Sequence, residues 1–110
     1  MIIQSKRVWI GGQFLPAQIE ISEGKIERIY TWGTKPVDVD HENLAILPGF
    51  IDIHTHGAYG FDTNDGEPSG LRDWMERIPE EGVTAILPTT VTQMPDVLTK
   101  AVANVANVIE

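Results

Sequence analysis

Pro48-Gly49-Phe50-Ile51-Asp52-Ile53-His54-Thr55-His56-Gly57 is the stretch on which the reading of this chain turns. The apolar, β-branched run from Phe50 to Ile53, with Pro-Gly before it and glycine after, reads as a buried strand. Strand side chains alternate, so Phe50, Asp52, His54 and His56 share one side while Ile51, Ile53 and Thr55 share the other. Residues two apart on a strand have Cα atoms roughly 6.6–6.8 Å apart. Both imidazoles then point the same way and can close on one metal ion. On a helix the same spacing would turn the rings about 200° apart, and no ion would be shared. The plain alternative is a pair of exposed histidines on an edge strand. The apolar opposite face, and Asp52 one step below the histidines, favour the metal.

The totals set bounds around this strand. At 110 residues the chain makes at most one ordinary domain, far short of the roughly 250 residues of an enzyme barrel. Sixteen acids against eight bases leave a net charge of −8, which speaks against a protein that tracks nucleic-acid phosphates. No basic run or cationic amphipathic helix suggests a membrane surface. Cysteine is absent, so neither a disulfide framework nor a thiolate metal site is expected. Nothing resembles a signal peptide or membrane span, and the expected location is the cytoplasm.

Upstream, residues 2–30 read as β-ribbon. Ile2-Ile3 and Val8-Trp9-Ile10 stop at Gly11-Gly12. Gln18-Ile19-Glu20-Ile21 alternates, turns at Ser22-Glu23-Gly24-Lys25, and alternates again through Ile26–Tyr30. This pattern predicts a small antiparallel sheet with one wet face carrying Glu20, Glu23, Lys25, Glu27 and Arg28. Trp9 and Trp32 are read as core or sheet cover. Residues 31–43 form a connector, with His41 an exposed turn residue, and Leu44–Leu47 a short strand.

Downstream, Leu71, Trp74, Met75 and Ile78 make one apolar stripe, predicting a helix over 69–81 that Gly82 ends and Pro79 distorts. Val83–Pro88 reads as a parallel strand buried between layers. Pro95 opens a second helix whose inner side carries Val97, Leu98, Ala101, Val102, Val105, Val108 and Ile109. The order β-α-β-α with short links predicts a parallel α/β sheet.

A catalytic metal takes three or more protein ligands plus an open position. His54 and His56 supply two, no histidine follows Gly57, and no convincing general base is present, so no catalytic residue is assigned to this chain. Asp52 is expected to support the site by hydrogen bonding to a metal-binding residue, or else to satisfy buried backbone or threonine donors. The loop after His56 offers Gly57, Ala58, Tyr59, Gly60 and Asp62 as substrate-lining candidates, since ligands sit beyond the C-terminal ends of parallel strands. Read otherwise, it is a turn-rich connector.

The string 48–57 resembles the first barrel strand of the amidohydrolase superfamily, and the Gly24–Ile29 hairpin resembles that superfamily's N-terminal β-sandwich. More narrowly, His54–Asp62, Glu81-Gly82-Val83-Thr84 and Leu87-Pro88-Thr89-Thr90-Val91-Thr92 are similar to the N-acetylglucosamine-6-phosphate deacetylase family. The resemblance implies an α/β chain comprising a β-sandwich portion (1–47) and the first two βα units (48–110) of a (β/α)₈ TIM barrel, about the first quarter to third of an enzyme. It also implies that His54 and His56 bind one or two divalent ions (Zn, Fe, Mn or Co). The reaction implied is hydrolysis of the acetamide of N-acetylglucosamine-6-phosphate to glucosamine-6-phosphate and acetate by a homodimeric full-length protein. The fragment alone is expected to be inactive and to self-associate. The alternatives are another amidohydrolase, such as a hydantoinase-like cyclic amidase or a deaminase, or a non-catalytic self-associating fragment.

Overall fold

Two tight turns build the N-terminal sheet. β1 (Ile2–Ile10) passes through Gly11-Gly12 into β2 (Gln13–Ser22), and β2 through Glu23-Gly24 into β3 (Lys25–Thr31). All four turn residues have positive φ, from 50° to 88°, the backbone that two-residue hairpins between twisted strands require. The computed structural model describes residues 1–109, which divide into two units, Met1–Pro48 and the residues from Gly49 onward.

In the first unit, β1–β3 form the expected antiparallel ribbon. The sheet is nevertheless mixed. β4 (Val39–Asp40) and β5 (Ala45–Ile46) both add in parallel to the outer edge of β1. They fall on either side of a bulge between Ser5 and Val8, where the Ser5 hydroxyl donates to the Leu44 carbonyl. The connector is thus partly strand, β4 being too short for periodicity to show. Val8, Ala17 and Ile19 are buried together, with Ile3, Ile10, Ile21 and Ile46 packed on them. The wet face is also partly covered: residues 33–35 fold back over Gln18, which is fully buried. Trp9 and Trp32 are 41% and 37% exposed. Trp9 meets Phe14 edge-on at 5.0 Å, and Arg7 stacks on the same ring. Trp9 is therefore sheet cover and not core.

The second unit runs β6 (Phe50–Thr55), α1 (Pro68–Arg77), β7 (Val83–Pro88) and α2 (Pro95–Ile109), with β6 and β7 paired in parallel. The helix expected over 69–81 stays α-helical only to Arg77, and Ile78–Glu81 continue as a 3₁₀ turn. Proline has no N–H to donate and its ring crowds the preceding turn, so the break falls at Pro79. Gly82, at φ 82°, closes it. Leu71, Trp74 and Ile78 are buried, with Phe61, Val83, Ile86, Val105 and Val108 against them.

Three burial expectations need correction. Phe50–Ile53 and β7 are not buried strands: Phe50, Ile51, Ile53 and Leu87 are 57–71% exposed. Two strands make a sheet with two open edges. On α2, Val102 and Ile109 are exposed although the stripe places them inward, whereas Asn104 is 5% exposed. A single partner helix covers a narrower arc than a long apolar stripe offers.

Candidate metal and substrate site

Thr55 ends β6, and His56 is the first residue beyond it. The imidazoles of His54 and His56 lie with centroids 5.1 Å apart and planes at 82°, together on one side of the strand. His56 Nδ1 is 2.9 Å from the Thr89 carbonyl oxygen. A carbonyl only accepts, so Nδ1 carries a proton, and in the neutral imidazole Nε2 then holds the lone pair. That is the donor a divalent ion takes from a neutral imidazole. Among the described residues no group of three or more histidine, cysteine, aspartate or glutamate side chains could hold a metal.

The remaining candidates are placed as follows. Asp52, half-buried, accepts the backbone N–H of His54 at 3.1 Å. Gly57 has φ 148°, and a Cβ there would stand 2.0 Å from the Phe61 carbonyl oxygen. Its glycine serves the loop's own close fold, by which Phe61 N–H reaches the Ala58 carbonyl at 3.0 Å. Ala58 packs toward Trp74 and its neighbours. Tyr59 has φ 56°, lies beneath the Arg77 guanidinium at 3.8 Å, and donates its hydroxyl to the Glu81 carboxylate. That hydrogen bond, then desolvation, holds the phenol above the ordinary tyrosine range. Gly60 has open space beside it. Asp62 caps the 3₁₀ turn Thr63–Asp65, accepting from Asn64 N–H while Asp65 accepts from Asp62 N–H. His41 lies in the first unit, its backbone bonded to Gln4 and Leu44.

Sequence reading missed two residues at this place. Thr89 contributes a backbone carbonyl, which no side-chain motif reveals; only the pairing of Thr55 with Pro88 brings it beside His56. Asn64 bonds through its amide to Val91 in the loop after β7, and its place in a polar loop carries no signal of that.

No family model matches the chain. Over 90 residues it is 41% identical to N-acetylglucosamine-6-phosphate deacetylase of Bacillus subtilis (strain 168), a match that takes in 78% of this chain and 23% of that protein. The chain is homologous to part of the N-acetylglucosamine-6-phosphate deacetylases. It spans about a quarter of the length of these relatives. N-acetylgalactosamine-6-phosphate deacetylase of Escherichia coli O157:H7 is 38% identical over 76 residues, covering 68% of this chain and 19% of that one. In fold, the crystal structure of N-acetyl-D-glucosamine-6-phosphate deacetylase from Mycobacterium smegmatis superposes with a TM-score of 0.88 over 97% of this chain and 31% of its own. At 21% identity that likeness speaks for the fold, and it agrees with a mixed sheet followed by β-α-β-α.

Proposed function

We propose that this chain is the metal-strand portion of an N-acetylglucosamine-6-phosphate deacetylase, a metal-dependent hydrolase of the acetamide of an amino-sugar phosphate. The observation that carries the reading is the paired His54 and His56 imidazoles, with ring centroids 5.1 Å apart at the C-terminal end of a parallel strand, in a chain homologous to those deacetylases. β6 and β7 are then the first two strands of a (β/α)₈ barrel, and residues 1–47 part of a β-sandwich. A divalent ion held there (Zn, Fe, Mn or Co, one or two) would supply Lewis acidity toward the acetamide carbonyl and lower the pKa of water.

The chain's own residues hold and orient. His54 and His56 would hold the ion through ring nitrogens, and the Thr89 carbonyl keeps a His56 proton on Nδ1. Asp52 holds the backbone at the start of His54 by accepting its N–H. Gly57, Ala58, Tyr59, Gly60 and Asp62 form the loop that would line the sugar pocket, with Tyr59 anchored by Glu81 and Arg77. A third ligand and a proton acceptor would come from outside this chain, so residues 1–110 alone are expected to show no turnover. The complete protein is proposed to be a cytoplasmic homodimer, and no described helix is long and apolar enough to cross a membrane.

A chimera tests this. Residues 1–110 replace the matching segment of the Bacillus subtilis relative, and acetate release from N-acetylglucosamine-6-phosphate is measured beside the galactosamine epimer. Activity is expected, with loss of at least about a hundredfold in His54→Ala and His56→Ala, the scale of removing a metal ligand's electrostatic contribution. A soluble chimera that hydrolyses neither sugar, or that is indifferent to both histidines, sinks the proposal. Preference for the epimer would move the assignment to the N-acetylgalactosamine-6-phosphate enzyme.

A further inference from the structure

We propose that Asn64 is a positioning residue for the His56 imidazole, acting through the backbone of Val91 and the carbonyl of Thr89. The Asn64 side-chain amide mimics a peptide group. Its Nδ2 donates to the Val91 carbonyl at 3.0 Å, and its Oδ1 accepts Val91 N–H at 3.2 Å. The amide's orientation is settled, because each backbone partner can act in only one sense. Two residues before Val91, the Thr89 carbonyl takes the His56 Nδ1 proton at 2.9 Å.

Few other groups hold that carbonyl. β7 ends at Pro88, and residues 89–91 belong to no helix or strand. Thr89 N–H reaches back to the Thr55 carbonyl at 2.7 Å, and the Thr89 hydroxyl donates to the Leu87 carbonyl at 3.0 Å. Both bonds lie on the strand side of Thr89. The loop side is held by the Asn64–Val91 pair. Asn64 is itself fixed: Thr63 N–H bonds the His56 carbonyl at 2.7 Å, and Asp62 caps Asn64 N–H at 2.8 Å. The loops after β6 and β7 are thereby stitched together beyond the ends of both strands, and the His56 ring bonds to the Thr89 carbonyl beside that stitch. A free imidazole exchanges its proton between its two nitrogens, so one steady acceptor at Nδ1 decides which nitrogen keeps a lone pair. That this lone pair then meets a metal rests on the reading above; the placement of the proton does not.

Long-range ¹H–¹⁵N correlations of the ¹⁵N-labelled chain read the tautomer directly, at about pH 8, well above the usual histidine pKa of about 6.5. In the parent chain His56 is expected to be protonated at Nδ1 and bare at Nε2. In Asn64→Ala, and in the isosteric Asn64→Asp that loses the donor to Val91, the Nδ1–H form is expected to fall from dominant to minor. The His54 pattern and far-UV circular dichroism stay unchanged. A parent His56 protonated at Nε2, or a folded variant that keeps the parental pattern, overturns the proposal. Failure of both variants to fold makes Asn64 a folding residue and rejects the positioning role. A zinc titration on the same samples separates this from the metal reading, with affinity expected to drop about tenfold in the variants. A parent with the stated tautomer that binds no zinc would count against the metal and leave Asn64 in place.

Discussion

Gln18 has no exposed surface, and its carboxamide is bonded on every side. Its Oε1 accepts Thr34 and Lys35 N–H, and its Nε2 donates to Gln4 Oε1 and the Lys35 carbonyl. Buried groups left without partners cost about 1–3 kcal/mol each. Gln18→Ala should therefore destabilise by about 2–4 kcal/mol in urea unfolding. A change within about 0.5 kcal/mol, usual for surface substitutions, would show that water takes over those partners. Gly57→Ala sets a Cβ against the Phe61 carbonyl in a backbone region side chains avoid. Its cost is put at about 2–4 kcal/mol, with the His56 and Phe61 amide resonances displaced. A variant as stable as its parent, with those resonances in place, refutes the loop's close fold.

At the scale of elements, the loop after β6 is pinned to the end of α1 by Tyr59. The Glu81 carboxylate favours the neutral phenol, the Arg77 charge opposes it more weakly, and the Tyr59 pKa is raised. The folded value exceeds the unfolded one, so this contribution is present below about pH 10 and is lost as pH rises through the folded value. An absorbance titration of Glu81→Gln should show one phenol moving down toward the ordinary range. The other, Tyr30, should keep its raised value, set by its hydrogen bond to Glu20. Two unmoved tyrosines would discard the Tyr59–Glu81 contact. On α2, neither amide atom of buried Asn104 has a partner among the described residues. Asn104→Leu, of similar volume, should stabilise by about 1–2 kcal/mol, raising Tm by several degrees. A lower Tm would mean that the amide is satisfied by water.

Over the whole molecule, the largest unmet demand is the sheet of the second unit. Phe50, Ile51, Ile53 and Leu87 stand exposed on two short strands with open edges, a surface that invites pairing with another chain. The chain is expected to sediment above its monomer mass at high concentration, and Ile51→Lys with Ile53→Lys to return it toward monomer. A monomer at every concentration would falsify this.

Much was legible before any coordinates. The hairpins at Gly11-Gly12 and Glu23-Gly24, the break at Pro79, the strands around Ile51 and Ile86, and the two histidines one pleat apart follow from local rules. Positive φ, a missing N–H and a repeat of two or 3.6 residues act within a few positions of chain. What only the tertiary structure decided lies between segments distant in sequence. The parallel attachment of β4 and β5 to β1, the burial of Gln18 and Asn104, the exposure of Phe50–Ile53, and the contact of His56 with the Thr89 carbonyl are of this kind. Which face is covered, and which carbonyl stands beside a ring, depends on how many neighbours a strand has and in what register they lie. A side-chain pattern carries the demand for a partner; packing alone settles which partner answers it.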